Sequence, residues 1–379
     1  MENNIKELEI KNFKSIKHIK FNPKRVNVFI GKPNVGKSNI LEGMGLMTST
    51  LNMQSGNFEL AQKGIIRFRD LFNLFYDEDT DNEIKISTEL SRVTIEYYNH
   101  LFIYTSIDKE WESKIASVYN DRKLTYFPRN AFYELRGNLE PFSPPQKHYL
   151  RPSLVEFDKT GRSNNAIPLH FPNNIEVSNP IRTYTYKHYD NYYDTFRDFL
   201  YPPYGENLFT ILNYNKELLN EFGGFIEEQG LEFVLDKKEN KFIIQKKIDR
   251  IVYQVPYSNI ADTLRHIIFY LAAIETNKDS VLLFEEPEVH SYPPYIKMLA
   301  DRIVLNDENQ YFISTHSPYM LNTLIDSLDD EELNVVLTYY EDYQTKIKIL
   351  SAEELAKVQE WKTDIFFNID RFINHLQEK

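Results

Sequence analysis

One octapeptide constrains this chain more than anything else in it. Gly31-Lys32-Pro33-Asn34-Val35-Gly36-Lys37-Ser38 fits the pattern G-x-x-x-x-G-K-S in full. Before it, Val26-Asn27-Val28-Phe29-Ile30 is a compact β-rich run, and residues 37–47 after it read as a helix. Strand, glycine loop and helix in that order is the context in which such a loop wraps phosphate. Gly31 and Gly36 let the backbone approach closely, and its amides then point inward beside the positive end of a helix. In this arrangement Lys37 neutralises the β and γ phosphates and the Ser38 hydroxyl ligates Mg²⁺. The loop, from Gly31 through Lys32, Pro33, Asn34, Val35, Gly36, Lys37 and Ser38 to Asn39, is therefore expected to hold ATP with Mg²⁺. The bland alternative is a chance match or a dead site.

Two further motifs stand far along the chain. Val281-Leu282-Leu283-Phe284 is an unbroken apolar run, the mark of a buried strand, and it ends in Glu285-Glu286-Pro287-Glu288. Paired carboxylates at a strand end suit metal-assisted hydrolysis: Glu285 is expected on the Mg²⁺ shell and Glu286 on the attacking water. A charged turn after a core strand is the competing reading. Ile313-Ser314-Thr315-His316-Ser317-Pro318 closes another apolar run, with Pro at the start of a following helix. His316 there is expected to contact the γ-phosphate, although a lone His is usually structural.

The remainder sorts into three parts. Residues 1–75 open with an alternating strand at Glu7-Leu8-Glu9-Ile10 and a second extended piece through Phe13, Ile16, Ile19 and Phe21. Residues 76–245 read as a large insertion, rich in Tyr, Phe, Asn and Pro, with a hairpin expected around Lys237-Lys238-Glu239-Asn240 near its end. Residues 246–379 are regular again: a helix over 263–274, late strands over 335–339 and 346–350, and a capping-box start at Ser351-Ala352-Glu353-Glu354.

Composition narrows the function classes. Cysteine is absent, which removes disulfides, thiol nucleophiles and cysteine zinc sites and fits a cytoplasmic protein. No run approaches the roughly 18–20 apolar residues of a membrane span, and no secretory leader is expected at the N-terminus. A net charge of -12 offers little counterion release on DNA. DNA binding would need a local patch. Lys6, Lys11, Lys14, Lys17, Lys20, Lys24 and Arg25 are the candidates, against the simpler reading of a solvated hairpin face.

Taken together, the motifs resemble the ABC-type ATPases of the branch that includes SMC, RecF and OLD-family proteins. The carrying residues are Ile10-Lys11-Asn12-Phe13-Lys14-Ser15-Ile16, residues 31–39, Phe284-Glu285-Glu286-Pro287-Glu288-Val289-His290 and Ser314-Thr315-His316-Ser317-Pro318. The resemblance covers about residues 5–50 and 255–350 and implies an α/β fold: a P-loop head with a mixed sheet flanked by helices. It also implies a dimer or higher homo-oligomer, with each signature segment closing its partner's ATP site. Three departures stand out. Glu285 replaces the usual aspartate. The signature segment, Tyr257-Ser258-Asn259-Ile260-Ala261-Asp262-Thr263-Leu264, lacks its glycines and leaves Ser258 as the candidate γ-phosphate contact. Only about sixty residues follow His316, too few for the OLD nuclease domain. Gln54 and Gln62 are the candidate Q-loop residues. Stand-alone ATPases of this kind resemble subunits of bacterial anti-phage systems that control a separately encoded nuclease or toxin-like effector. A RecF-like repair ATPase and a nucleotide-gated scaffold with little hydrolysis are the alternatives.

Overall fold

The computed structural model describes residues 3–48, 64–109, 153–168, 180–193, 198–227, 229–360 and 365–374. Gln54 and Gln62 lie outside the described residues, as do most of the prolines expected to punctuate the middle.

The chain opens with a hairpin of β1 (Leu8–Phe13) and β2 (Ile16–Phe21), then β3 (Val26–Ile30) and α1 (Lys37–Thr48). Next come β4 (Ile84–Thr88), β5 (Ser91–Tyr98), β6 (Leu101–Asp108), β7 (Ser153–Phe157), β8 (Ser163–Pro168) and β9 (Ile181–Tyr184). They are followed by α2 (Leu208–Tyr214), α3 (Lys216–Glu227), β10 (Glu232–Asp236), β11 (Lys241–Ile248) and β12 (Ile251–Pro256). The last part holds α4 (Asp262–Thr276), β13 (Val281–Glu285), α5 (Pro293–Leu305), β14 (Gln310–Ser314) and α6 (Pro318–Ser327). It ends with β15 (Leu333–Glu341), β16 (Gln344–Ile349), α7 (Ala352–Glu360) and α8 (Ile369–Asn374).

A six-stranded sheet in the order β16-β15-β3-β14-β13-β9 forms the centre. Its strands are parallel except β16. Every residue of β3 and β14 is buried, as expected for parallel strands covered on both faces. On one face, α4, α5 and α6 pack their apolar stripes. On the other, α1 lies between this sheet and a seven-stranded antiparallel sheet, β2-β1-β4-β5-β6-β7-β8. Ten of the twelve residues of α1 are buried, because it is covered from both sides and has no wet face. A smaller sheet, β10-β11-β12, projects from the helical side.

The expected mixed sheet flanked by helices is thus present. The middle segment differs from a free-standing insertion. Within residues 76–245, β4–β8 extend the antiparallel sheet begun by β1, and β9 pairs in parallel with β13. The physical reason is edge satisfaction. The β1–β2 hairpin alone would leave its apolar face and one strand edge unpaired over α1.

Local signals placed the ends of several elements. Ser317 caps α6, accepting from Met320 N at 3.4 Å, with Pro318 in the first turn. Ser351 and Glu354 form the reciprocal capping box that opens α7, at 3.0 and 3.3 Å. The expected hairpin around 237–240 is β10–β11, with Asp236 opposite Lys241.

Candidate functional site

Register brings the three distant motifs to one edge. Glu285 at the end of β13 lies beside Ser314 at the end of β14, and Ser314 lies beside Phe29 of β3. The loops after these strands leave the sheet together at the carboxyl edge, where open α/β sheets hold their ligands. There they surround a cavity of about 550 Å³. Pro33, Asn34, Gly36, Lys37, Ser38 and Asn39 form its floor, with Glu286 and His316 opposite. Those are eight of the thirteen expected site residues.

The others are placed differently. Lys32 turns outward and ion-pairs with Asp370 at 2.8 Å. Gly31 packs against the backbone of Thr338, and the Val35 carbonyl accepts from Thr345 Oγ1 at 2.8 Å. Glu285 is not among the residues lining the cavity; its Oε1 accepts from Arg67 Nη2 at 2.8 Å. Ser258 is exposed on a 3-10 turn three residues before α4 and lines a different cavity.

The loop conformation follows from its residues. Gly36 has φ +98°, a region open to glycine, and a Cβ there would run into the hydroxyls of Thr345 and Ser15. Asn34 takes φ 62°, which Asn tolerates better than most residues. Lys37 Nζ donates to the carbonyls of Gly31 and Lys32, each at 2.9 Å. Burial pulls its pKa down, against the opposing pull of the Glu286 carboxylate. These two carbonyls hold the ammonium at the mouth of the loop, where a phosphate oxygen would compete for it.

The carboxylate side is strained. Glu286 has φ 43°, rare for a side chain of this kind. Its N–H donates to Ser314 O at 2.9 Å, which ties the turn after β13 to β14. Its carboxylate lies 3.4 Å from His316 Nε2. Burial, then the Lys37 charge, depress the His316 pKa below its ordinary 6.5, and Glu286 opposes them. The imidazole is therefore mainly neutral at pH 7, able to accept as well as donate a hydrogen bond.

Several functional neighbours escaped the sequence reading. Glu288 is half-buried, and its Oε1 accepts from Thr315 Oγ1 at 2.6 Å and from His316 N at 2.7 Å. It belonged to the quoted Glu-Glu-Pro-Glu run, which was the available signal, but had no role assigned. Arg67 reaches both Glu285 and Glu42, the latter at 2.7 Å through Nε. Lys14, at the tip of the β1–β2 hairpin, ion-pairs with the same buried Glu42. Ser15 and Thr345 share a hydrogen bond of 2.6 Å beneath the loop, and Asn39 Nδ2 donates to Ser15 at 2.7 Å. A single acid inside an otherwise apolar helix was the only sequence hint for Glu42.

The N-terminal basic residues are largely spent on such pairs. Lys11 meets Glu9 at 2.8 Å, Lys20 meets Glu7 at 3.0 Å and Arg25 meets Glu332 at 2.7 Å. Lys24 donates to the Leu333 carbonyl at 3.1 Å.

The donor set fits Mg²⁺-ATP. The Ser38 hydroxyl is a hard oxygen donor in the cavity, and Mg²⁺ keeps most of its ligands as water and phosphate. The cavity has room for a triphosphate, a buried lysine at its floor and a helix N-terminus aimed at it. Among the described residues no His, Cys, Asp and Glu cluster forms a metal cage of its own.

The chain is similar to several known proteins. Among solved structures, an SmcHead bound to the C-winged helix domain of ScpA has 14% identity and a TM-score of 0.44, covering 92% of this chain and 98% of that one. The Smc head with an extended coiled coil, bound to the C-terminal domain of ScpA derived from Pyrococcus furiosus, has 13% identity and a TM-score of 0.45, covering 94% and 98%. The SMC head domain from Thermotoga maritima has 11% identity and a TM-score of 0.39, covering 92% and 100%. No curated protein matches the chain. No helix among the described residues is long and apolar enough to cross a membrane. The family model described as the AAA ATPase domain matches residues 4–260 and 261–321, and the chain belongs to that ATPase family.

Proposed function

We propose that this ATPase works as a dimeric nucleotide-gated switch, and that it is the sensor subunit of an anti-phage system controlling a separately encoded effector. The observation that carries the switch is the meeting of Lys37, Ser38, Glu286 and His316 around one cavity. Lys37 would hold the β and γ phosphates, and Ser38 would ligate Mg²⁺. Bound Mg²⁺ would neutralise charge on the phosphates. Glu286 would orient and deprotonate the attacking water, with the neutral His316 beside it at the γ-phosphate. Glu285 joins the metal shell only after Arg67 lets it go.

Ser258 supports the dimeric form of this reading. It is exposed and outside its own chain's nucleotide cavity, which suits a contact made to a second protomer. The effector assignment rests on the resemblance of the motifs alone. The scaffold reading keeps one observation in its favour: Glu285 is already held by Arg67, which would slow any Mg²⁺-dependent step.

Glu286→Gln tests the proposal. The variant is expected to bind ATP as the parent does, lose about 10²–10⁴-fold in turnover, and accumulate as an ATP-bound dimer in light scattering. Unchanged turnover would remove Glu286 from the chemistry. Lost turnover with no ATP-dependent dimer would leave an ATPase but refute the switch.

A further inference from the structure

The small sheet β10-β11-β12 carries a surface that the nucleotide site does not use. All six residues of β12 are exposed, and β12 is an edge strand. Cross-strand register gives its faces: Ile244 lies opposite Val255, Lys246 opposite Tyr253 and Ile248 opposite Ile251. Near the core this face is covered, with Phe242 and Ile244 buried. Toward the tip it is not. Ile248 is 51% and Ile251 57% exposed, and Tyr253 and Val255 are exposed too. An apolar strip thus runs out of the core into solvent, which is costly unless something covers it.

The edge is also open along its backbone. Only Asp249 and Arg250 connect β11 to β12, so Ile248 and Ile251 are a hydrogen-bonded pair. Alternation then turns the N–H and C=O of Val252 and Gln254 away from β11, toward the free side. A groove of about 450 Å³ lies against the same sheet, lined by Lys241 and Ile243 of β11, Gln254 and Pro256 of β12, and His188 and Ser258 among others.

Charge selects what fits. From Asp236 to Arg250, Lys237, Lys238, Lys241, Lys246, Lys247 and Arg250 outnumber Asp236, Glu239 and Asp249, in a chain of net charge -12. Lys241 is held by Glu239 and Asp236. Lys247 and Arg250 make no ion pair among the described residues. Lys246 sits over the Tyr253 ring, 5.6 Å from its centroid.

We infer that the β12 edge is a docking site for an extended, acidic segment of a partner protein with alternating apolar side chains. The segment adds as a fourth strand. Its backbone pairs with Val252 and Gln254, its apolar residues cover Ile251, Tyr253 and Val255 on one face, and its acids meet Lys247 on the other face and Arg250 at the turn. Apolar side chains at the strand, with basic ones only flanking it, favour a peptide over nucleic acid, whose phosphates would want the reverse. Ser258 follows the last residue of β12 by two positions, so on the proposed function the docked segment would sit beside the segment that closes the partner protomer's site. The docking itself does not depend on that function.

The probe is a short fluorescein-labelled peptide of alternating Glu and Val, read by anisotropy against the full chain without nucleotide. Its Lys/Val counterpart and a single-stranded oligonucleotide serve as controls. The Glu/Val peptide is expected to bind at least about tenfold tighter than the Lys/Val peptide. Val252→Pro removes one outward donor and leaves the β11 pairing intact, and it is expected to weaken binding by about tenfold or more. Lys247→Glu with Arg250→Glu should do likewise. Both variants should keep wild-type ATP affinity, read separately, so a failed peptide result does not touch the nucleotide proposal. Equal binding of both peptides, preference for the oligonucleotide, or a concentration-dependent dimer abolished by Val252→Pro would each overturn the inference.

Discussion

Replacing Glu288 separates the positioning of His316 from the binding of ATP. Glu288 Oε1 accepts two hydrogen bonds, from Thr315 Oγ1 at 2.6 Å and from His316 N at 2.7 Å. Hydrogen bonds to a charged group contribute roughly 1.5–3 kcal/mol each. Against this stands the cost of burying the carboxylate, which dominates its environment and raises its pKa above the ordinary 4.5. Its Oε2 has no hydrogen-bond partner among the described residues, so that cost is only partly offset. Thr315 Oγ1 keeps one contact after truncation, accepting from Ser317 N at 2.9 Å. The balance for Glu288→Ala is a loss of about 2 kcal/mol, read as a lower urea midpoint with unchanged slope. Glu288→Gln keeps the shape and one acceptor and sheds the buried charge, so its change should stay within about 1 kcal/mol. The sign with pH follows. A carboxyl whose folded pKa is raised contributes stability that is complete below pH 4.5 and is lost as pH rises through the folded value. The Gln variant should therefore gain on the parent as pH rises through that window. In turnover assays, Ala should lower kcat with little change in ATP affinity, since Lys37 and Ser38 are untouched, and Gln should restore most of it. Equal stability offsets at all pH values, or a loss of ATP affinity as large as the loss of kcat, would refute this account.

Three other substitutions probe the same cavity. Lys37→Ala should lower ATP affinity about 100-fold, from one lost charge-assisted contact of about 3 kcal/mol, without lowering stability, because a desolvated cation is removed; calorimetry and thermal melts read the two. Gly36→Ala places a Cβ at φ +98° against the Thr345 and Ser15 hydroxyls, and should cost about 1–3 kcal/mol of stability and ATP binding with it; an unchanged melt would show that the loop does not need this conformation. Arg67→Ala frees Glu285 but leaves the buried Glu42 with only Lys14 and the backbone N–H of residue 67, which donates at 3.2 Å. Because the Arg67 side chain is 66% exposed, the stability loss should be held to about 1 kcal/mol, while Mg²⁺ titration of ATP binding shifts to lower metal concentration. A shift to higher concentration would mean Arg67 assists the metal rather than competing with it.

The parts of this site that could be read from the sequence are those whose chemistry is local. A phosphate loop needs its glycines, lysine and serine within eight positions, so the pattern survives without any knowledge of the fold. The strands before Glu285 and His316 are buried on both faces, and their unbroken apolar runs announce them. The rest depends on contacts between residues far apart in the chain. Arg67 and Glu285 are separated by 218 positions, and Ser15 and Thr345 by 330, so no spacing can signal either pair. The same holds for β4–β8. Alternating strands in an aromatic, proline-rich stretch have no local mark of which sheet they join, and only the uncovered edge of β1 decides it. That difference also sorts the residues by what they do. Most of the locally legible ones line the cavity directly. The illegible ones, Lys14, Glu42, Arg67, Glu288 and Thr345, hold those residues to one another across the cavity. Glu42 is buried and Glu288 half-buried, and each joins two segments that border the cavity. One joins the hairpin tip to Arg67, and the other joins the turn after β13 to the turn after β14. A change at the phosphates that moved Glu285 or His316 would therefore be felt first at these two carboxylates. They are contacts that tie the rim of the cavity to the antiparallel sheet on one side and to the turn that leads into α6 on the other.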